Sequence, residues 1–159
     1  MSSSTNSVVL ELSSDAAFRL VCDPTLYPRW LVGAQEIRRI DADWPAAGSK
    51  FAHRIGIGPL AIPGSTTVRQ LDAPRVLELA AGMGVLGESK VRFELVPTKD
   101  GTEVRIVETP RKGLAALASK LLTPLVRGAL WGRNQASLEE LGRVAIEHAA
   151  DSVEGPNSS

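Results

Sequence analysis

The chain has 159 residues, 43% of them hydrophobic and 23% charged, with 18 basic side chains against 18 acidic ones. This composition suits one globular domain with a substantial core; it excludes a collagen-like or wholly disordered chain, and the zero net charge removes the global signature of a nucleic-acid binder. Three Trp, three Phe and one Tyr leave the interior mainly to Leu, Val and Ala.

Cys22 is the only cysteine, which excludes an internal disulfide framework and a cysteine-based zinc cluster and fits a reducing compartment. The opening segment, Met1 to Ser7, has neither the basic nor the apolar region of a secretory signal, and no stretch is long enough to span a bilayer, so a cytoplasmic protein is expected. The two histidines, His53 and His148, are far apart and lack a spaced carboxylate cluster; neither a metal nor a cofactor is predicted.

In chain order, residues 1–6 read as a disordered tail. Val8 to Leu12 is a short β-branched strand, and Ser13-Ser14-Asp15 supplies the side-chain oxygens that cap a helix with Phe18, Val21 and Cys22 on one face. Asp23-Pro24 ends that helix, and Tyr27-Pro28-Arg29-Trp30-Leu31 reads as a second short helix or turn.

From Ala34 to Thr109 the period changes to two. Phe51, His53, Ile55 and Ile57 share a face opposite Lys50, Ala52 and Arg54; Val91, Phe93 and Leu95 alternate with charged residues; and Val104, Ile106 and Glu108 share a face. Turn-forming residues lie between the runs, at Pro45 to Gly48, Gly58-Pro59, Asp72 to Pro74, Gly82 to Gly87 and Lys99 to Gly101. Six antiparallel strands follow the first. The apolar turns Gly56 to Gly64 and Gly82 to Gly87 read as flexible hairpins, and the second lacks the Lys-Ser/Thr of a phosphate loop.

After Pro110, Leu117, Leu121, Trp131, Leu138, Leu141 and Ala145 fall on one helical stripe through Ala149, predicting a long terminal helix over the sheet. Pro124 and Gly128 predict a kink or break between Lys120 and Gly128. Residues 150–159 read as a second disordered tail.

The order of elements, with Asp23-Pro24, Tyr27-Pro28 and Trp30, Gly48-Ser49-Lys50-Phe51, Leu71-Asp72-Ala73-Pro74-Arg75, Gly101-Thr102, Glu108 and Ser137-Leu138 with Leu141, resembles the START-related helix-grip superfamily of polyketide cyclases, dehydrases and lipid carriers. The resemblance covers residues 7–149, read as a single domain. It implies an α+β fold in which a curved antiparallel sheet of about seven strands grips the terminal helix. It also implies an elongated apolar cavity between them that binds a hydrophobic or aromatic small molecule. The superfamily contains both carriers and enzymes, so the resemblance leaves binding and cyclase or dehydrase chemistry both open.

Within that frame the expected ligand-binding set is Tyr27, Trp30, Phe51, His53, Ile55, Phe93, Ile106, Glu108, Leu121 and Trp131. His53 on an apolar face reads either as a hydrogen-bonding or proton-transfer group for a ligand or as a core histidine bonded to backbone. Glu108 reads either as a cavity-mouth carboxylate whose pKa rises through loss of water or as a structural acceptor for a helix or loop end. Those two are the catalytic candidates. Trp30 is expected to close one end of the core, Trp131 either to cap the cavity or to fill it, and Cys22 to be inert packing.

Arg111, Lys112, Lys120, Arg127 and Arg133 lie between Pro110 and Leu138 with no acidic residue among them. With Leu114, Leu117, Leu121, Leu122 and Leu125 beside them, they read either as contact with an anionic membrane surface or a protein partner, or as a solvated outer face with its leucines in the core.

Overall fold

The computed structural model describes residues 3–56, 58–121 and 123–153. The seven strands are β1 (Ser4–Leu10), β2 (Ala34–Arg38), β3 (Lys50–Ile55), β4 (Ile62–Asp72), β5 (Val76–Gly82), β6 (Glu88–Thr98) and β7 (Gly101–Lys112). They form one antiparallel sheet in the order β1-β7-β6-β5-β4-β3-β2. Only the β1–β7 contact joins strands distant in sequence, and the helices between β1 and β2 occupy that crossover.

Alternation decides which side of the sheet is dry. Phe51 and His53 on β3, Thr66 and Val68 on β4, Leu77 and Leu79 on β5, Phe93 and Leu95 on β6, and Thr102, Val104, Ile106 and Glu108 on β7 are all buried. Their neighbours along each strand are more exposed, as period-two geometry requires of a half-covered sheet.

The helix α1 (Ser14–Val21) starts where the Ser13 hydroxyl accepts from the Ala16 amide at 3.2 Å. It buries Phe18 and Val21 as its sequence pattern requires. A 3-10 turn at Pro24–Leu26 leads into α2 (Tyr27–Trp30). The Tyr27 hydroxyl donates to the Val21 carbonyl at 2.8 Å, tying α2 to the end of α1.

Two helical segments follow β7, α3 (Gly113–Leu121) and α4 (Thr123–Val153); Leu122 between them, inside the stretch where a kink or break was predicted, lies outside the described residues. The inward stripe differs from the predicted one. It consists of Asn134, Ser137, Leu138, Leu141, Val144 and Ala145, all buried, at helical spacings of three and four. Leu117 and Leu121 on α3 and Trp131 on α4 are exposed, because the covering contact with the sheet begins only near Arg133.

Regular structure extends into both segments that the sequence reading assigned to tails. β1 begins at Ser4, inside the segment assigned to the N-terminal tail, with Ser4 and Asn6 buried. The Asn6 side-chain amide donates to the Trp131 carbonyl at 3.2 Å and to Gln135 Oε1 at 3.1 Å, anchoring the strand beneath α4. At the other end α4 continues to Val153. Ile57, Leu122 and residues 154–159, all placed in the sequence reading, lie outside the described residues. Ile62 to Gly64 belong to β4, and not to an apolar hairpin as expected.

Candidate functional site

A cavity of about 60 Å³ lies between the dry face of the sheet and the segment that follows α1. That is room for several water molecules or for part of a small ligand. Its floor comes from the inward positions of β3 to β7. Tyr27, Leu31 and Val32 form much of its roof, and α4 contributes Arg133. Most of the wall is apolar. Among the described lining residues, ionisable character is confined to Tyr27, His53, Glu108 and Arg133.

His53 projects from the middle of β3 beside Phe51, with ring centroids 6.1 Å apart. It is only 4% exposed, and neither ring nitrogen has a hydrogen-bond partner among the described residues. Burial lowers the imidazole below its ordinary pKa of 6.5; the Ser65 backbone opposes this in part while remaining outside hydrogen-bond geometry. The ring is therefore neutral at pH 7, with one N–H to donate and one nitrogen to accept, both unused.

Glu108 lies on β7, opposite Ser4 of β1 and Val91 of β6. It is buried and pairs with Arg133, whose Nη2 donates to Glu108 Oε2 and also to Asn134 Oδ1, the latter at 3.3 Å. In place of a lone desolvated carboxylate, the wall thus carries an ion pair. The Ser137 hydroxyl donates to the Arg133 carbonyl at 3.0 Å and accepts from the Val32 amide at 3.0 Å, fastening the roof of the cavity to α4.

Tyr27, Phe51, His53, Ile55, Phe93, Ile106 and Glu108 from the expected set line this one cavity. Trp30 does not. It is fully buried behind the wall, edge-on to Tyr27 at 5.5 Å and to Phe93 at 5.9 Å. Leu121, 73% exposed, and Trp131, 54% exposed, lie outside it, because both precede the point where the helix meets the sheet.

Sequence reasoning left Arg133 out of the site, together with apolar lining residues such as Leu31, Leu79 and Val91, and did not see the part played by Gly64 behind His53. The sequence groups Arg133 with the other cations, although Asn134 and Ser137 mark a polar end to the leucine stripe facing the lone inward carboxylate of β7. Gly64 pairs with His53 across β3 and β4. Among the described residues no group of three or more His, Cys, Asp or Glu side chains is placed to hold a metal ion, and no helix is long and apolar enough to cross a membrane.

Solved structures share this architecture at low sequence identity. TTHA0849 from Thermus thermophilus superposes with a TM-score of 0.73 at 13% identity, covering 92% of this chain and 98% of that one. The di-domain ARO/CYC protein StfQ of the steffimycin biosynthetic pathway gives 0.72 at 12% identity, over 94% of this chain and 52% of that one. Ara h 8.0201 gives 0.65 at 9% identity, over 91% and 97%. At such identities the likeness concerns the fold alone. No curated protein matches the chain. The profile of the family described as polyketide cyclase / dehydrase and lipid transport matches residues 1–145, and with the seven-stranded sheet, the long terminal helix and the apolar cavity already in view, the chain belongs to that family.

Proposed function

We propose that the protein binds a small hydrophobic molecule in the cavity between the sheet and the α2–α4 cover, with an oxygen atom of the ligand hydrogen-bonded to His53. The observation that carries this reading is the imidazole itself. A buried imidazole that no protein group satisfies is destabilising until a molecule in the cavity, water or a ligand oxygen, hydrogen-bonds to it. The apolar wall supplies affinity, and the imidazole fixes the ligand's orientation.

A cavity of about 60 Å³ accepts only a short ligand without rearrangement. The turns at Gly58–Leu60 and Gly84–Leu86 flank the strands that form its floor, and Met83 beside the second turn lines it. Outward movement of these turns would admit a longer chain. Native mass spectrometry of the purified protein tests the reading. A retained apolar small molecule, lost in His53→Leu, supports it; a protein that takes up no apolar ligand at any concentration refutes it.

A cyclase or dehydrase reaction in the same cavity would use His53 to move the proton, since Glu108 is held by Arg133. Turnover that survives His53→Leu would rule out that assignment.

The exposed surface of α3 and the start of α4 favours a second, separate role at an anionic membrane surface. Leu114, Leu117, Leu121 and Leu125 are more than half exposed, contrary to the reading that put these leucines in the core. Cations and no acidic residues accompany them. Aliphatic side chains open to water among cations match the interface of an anionic bilayer. Flotation with phosphatidylserine vesicles at low salt should carry the protein upward, and Leu121→Ser with Leu125→Ser should abolish that. Equal recovery with phosphatidylcholine vesicles, or none with either, contradicts this role.

A further inference from the structure

We infer that the cavity selects uncharged ligands, and that the Glu108–Arg133 ion pair enforces the choice by cancelling the charge each member would otherwise offer. The inference rests on the cavity-binding reading above and specifies the chemical class of its ligand.

Arg133 is the one Arg or Lys among the described lining residues, and Glu108 is the one carboxylate. Each is committed to the other. A ligand carboxylate entering the cavity would have to draw Arg133 away from Glu108, whose side chain is 5% exposed and would be left as a buried, unpaired anion. A ligand ammonium would have to take Glu108 from Arg133, whose side chain, 34% exposed, water would only partly re-solvate. Neither penalty applies to a hydroxyl, carbonyl or ether oxygen, which finds the unpartnered nitrogens of His53 on the same wall.

The arrangement also keeps the pair from being displaced easily. Arg133 Nη2 is shared with Asn134 Oδ1, and the Arg133 carbonyl is held by Ser137, so the guanidinium is positioned from its own helix. Its side chain is 34% exposed against 5% for Glu108, which puts the cation toward solvent and the anion toward the interior. Free anions therefore meet a cation whose inner side is already occupied.

Two substitutions make opposite predictions. Glu108→Gln removes the anion with little change of shape and releases Arg133 to receive a ligand carboxylate. Arg133→Met removes the cation, keeps the length of the side chain, and leaves Glu108 to receive a ligand ammonium. The probes are octan-1-ol, octanoate and octylammonium, each displacing the uncharged fluorophore 1-aminoanthracene from the full-length protein at pH 7.5.

For the wild type, octan-1-ol should bind at least about tenfold more tightly than either charged analogue, the ratio set by one unpaired buried charge. In Glu108→Gln octanoate should gain about tenfold and octylammonium nothing; in Arg133→Met octylammonium should gain and octanoate nothing. Thermal melting identifies which variants are folded, and either folded variant is a sufficient test. Octanoate binding to the wild type as tightly as the alcohol overturns the inference, as does a folded variant whose preference among the three is unchanged. If no probe and no fluorophore binds the wild type, the failure lies in the cavity-binding reading itself.

Discussion

Gly64 lies directly across the β3–β4 ladder from His53, and a methyl group on it would sit 2.9 Å from His53 Cε1 and 2.0 Å from the Gly82 carbonyl oxygen. The glycine is what allows three strands and an imidazole to approach one another at this point. Gly64→Ala should therefore destabilise the fold by about 1–3 kcal/mol through overpacking. It should also weaken octan-1-ol binding, because the ring must shift. Urea unfolding and fluorophore displacement measure both; an unchanged midpoint would mean that the β4–β5 contact is looser than described.

His53→Leu should move stability and binding in opposite directions. Replacing an unsatisfied buried imidazole by an apolar side chain of comparable bulk removes a desolvation penalty of about 1–3 kcal/mol, so the empty protein should melt higher. The same change removes the ligand's hydrogen-bond partner and should weaken octan-1-ol by about tenfold, the order of one hydrogen bond. Scanning calorimetry and titration decide it. A variant that is both less stable and unchanged in affinity would mark His53 as a packing residue.

The lowered pKa of His53 fixes the sign of a pH effect. The unfolded chain takes up the proton near 6.5 while the folded one resists it. Stability is therefore fully present above pH 6.5 and declines as pH falls through the interval between 6.5 and the lower folded value. Arg133 and Glu108, the charged residues on the same wall, are paired with each other. Melting curves of the wild type and His53→Leu between pH 7.5 and 5 should diverge on the acid side, with the wild type falling more steeply. Parallel curves would contradict the burial of a neutral imidazole.

Cys22 is expected to be inert. Burial pushes its thiol pKa up to about 12, and its thiolate is scarce at any ordinary pH. Iodoacetamide at pH 8 should label the native protein at least about a hundredfold more slowly than the urea-unfolded chain. Comparable rates would place the thiol in a more open setting than the end of α1.

The fold was legible because its signals are local. Period-two alternation in Phe51 to Ile55, Val91 to Leu95 and Val104 to Glu108 and the Ser13 cap each act over a few residues, and each appears in the structure. The site was legible only where strand periodicity reaches it. His53 and Glu108 share the dry face because a strand imposes that. Periodicity does not say where a helix stops touching the sheet. Trp131 lies seven residues before Leu138 on one stripe and is nevertheless exposed, because the cover begins near Arg133. The pairing of Glu108 with Arg133 joins positions from different elements, and the space that Gly64 leaves for His53 depends on strand register; neither has a local signature. Trp44, left out of the sequence reading, packs on Phe51 at 4.9 Å and donates from Nε1 to the Cys22 carbonyl at 2.8 Å, contacts equally without a local signal.

Nitrogen-15 NMR of histidine-labelled protein at pH 7 measures directly whether His53 is a neutral imidazole that hydrogen-bonds a ligand oxygen. Two distinct ring-nitrogen resonances of a neutral imidazole are expected at His53, at least one of which shifts on saturation with octan-1-ol. An imidazolium signal at pH 7, or a ring whose resonances stay fixed while fluorophore displacement shows the alcohol bound, would contradict that expectation.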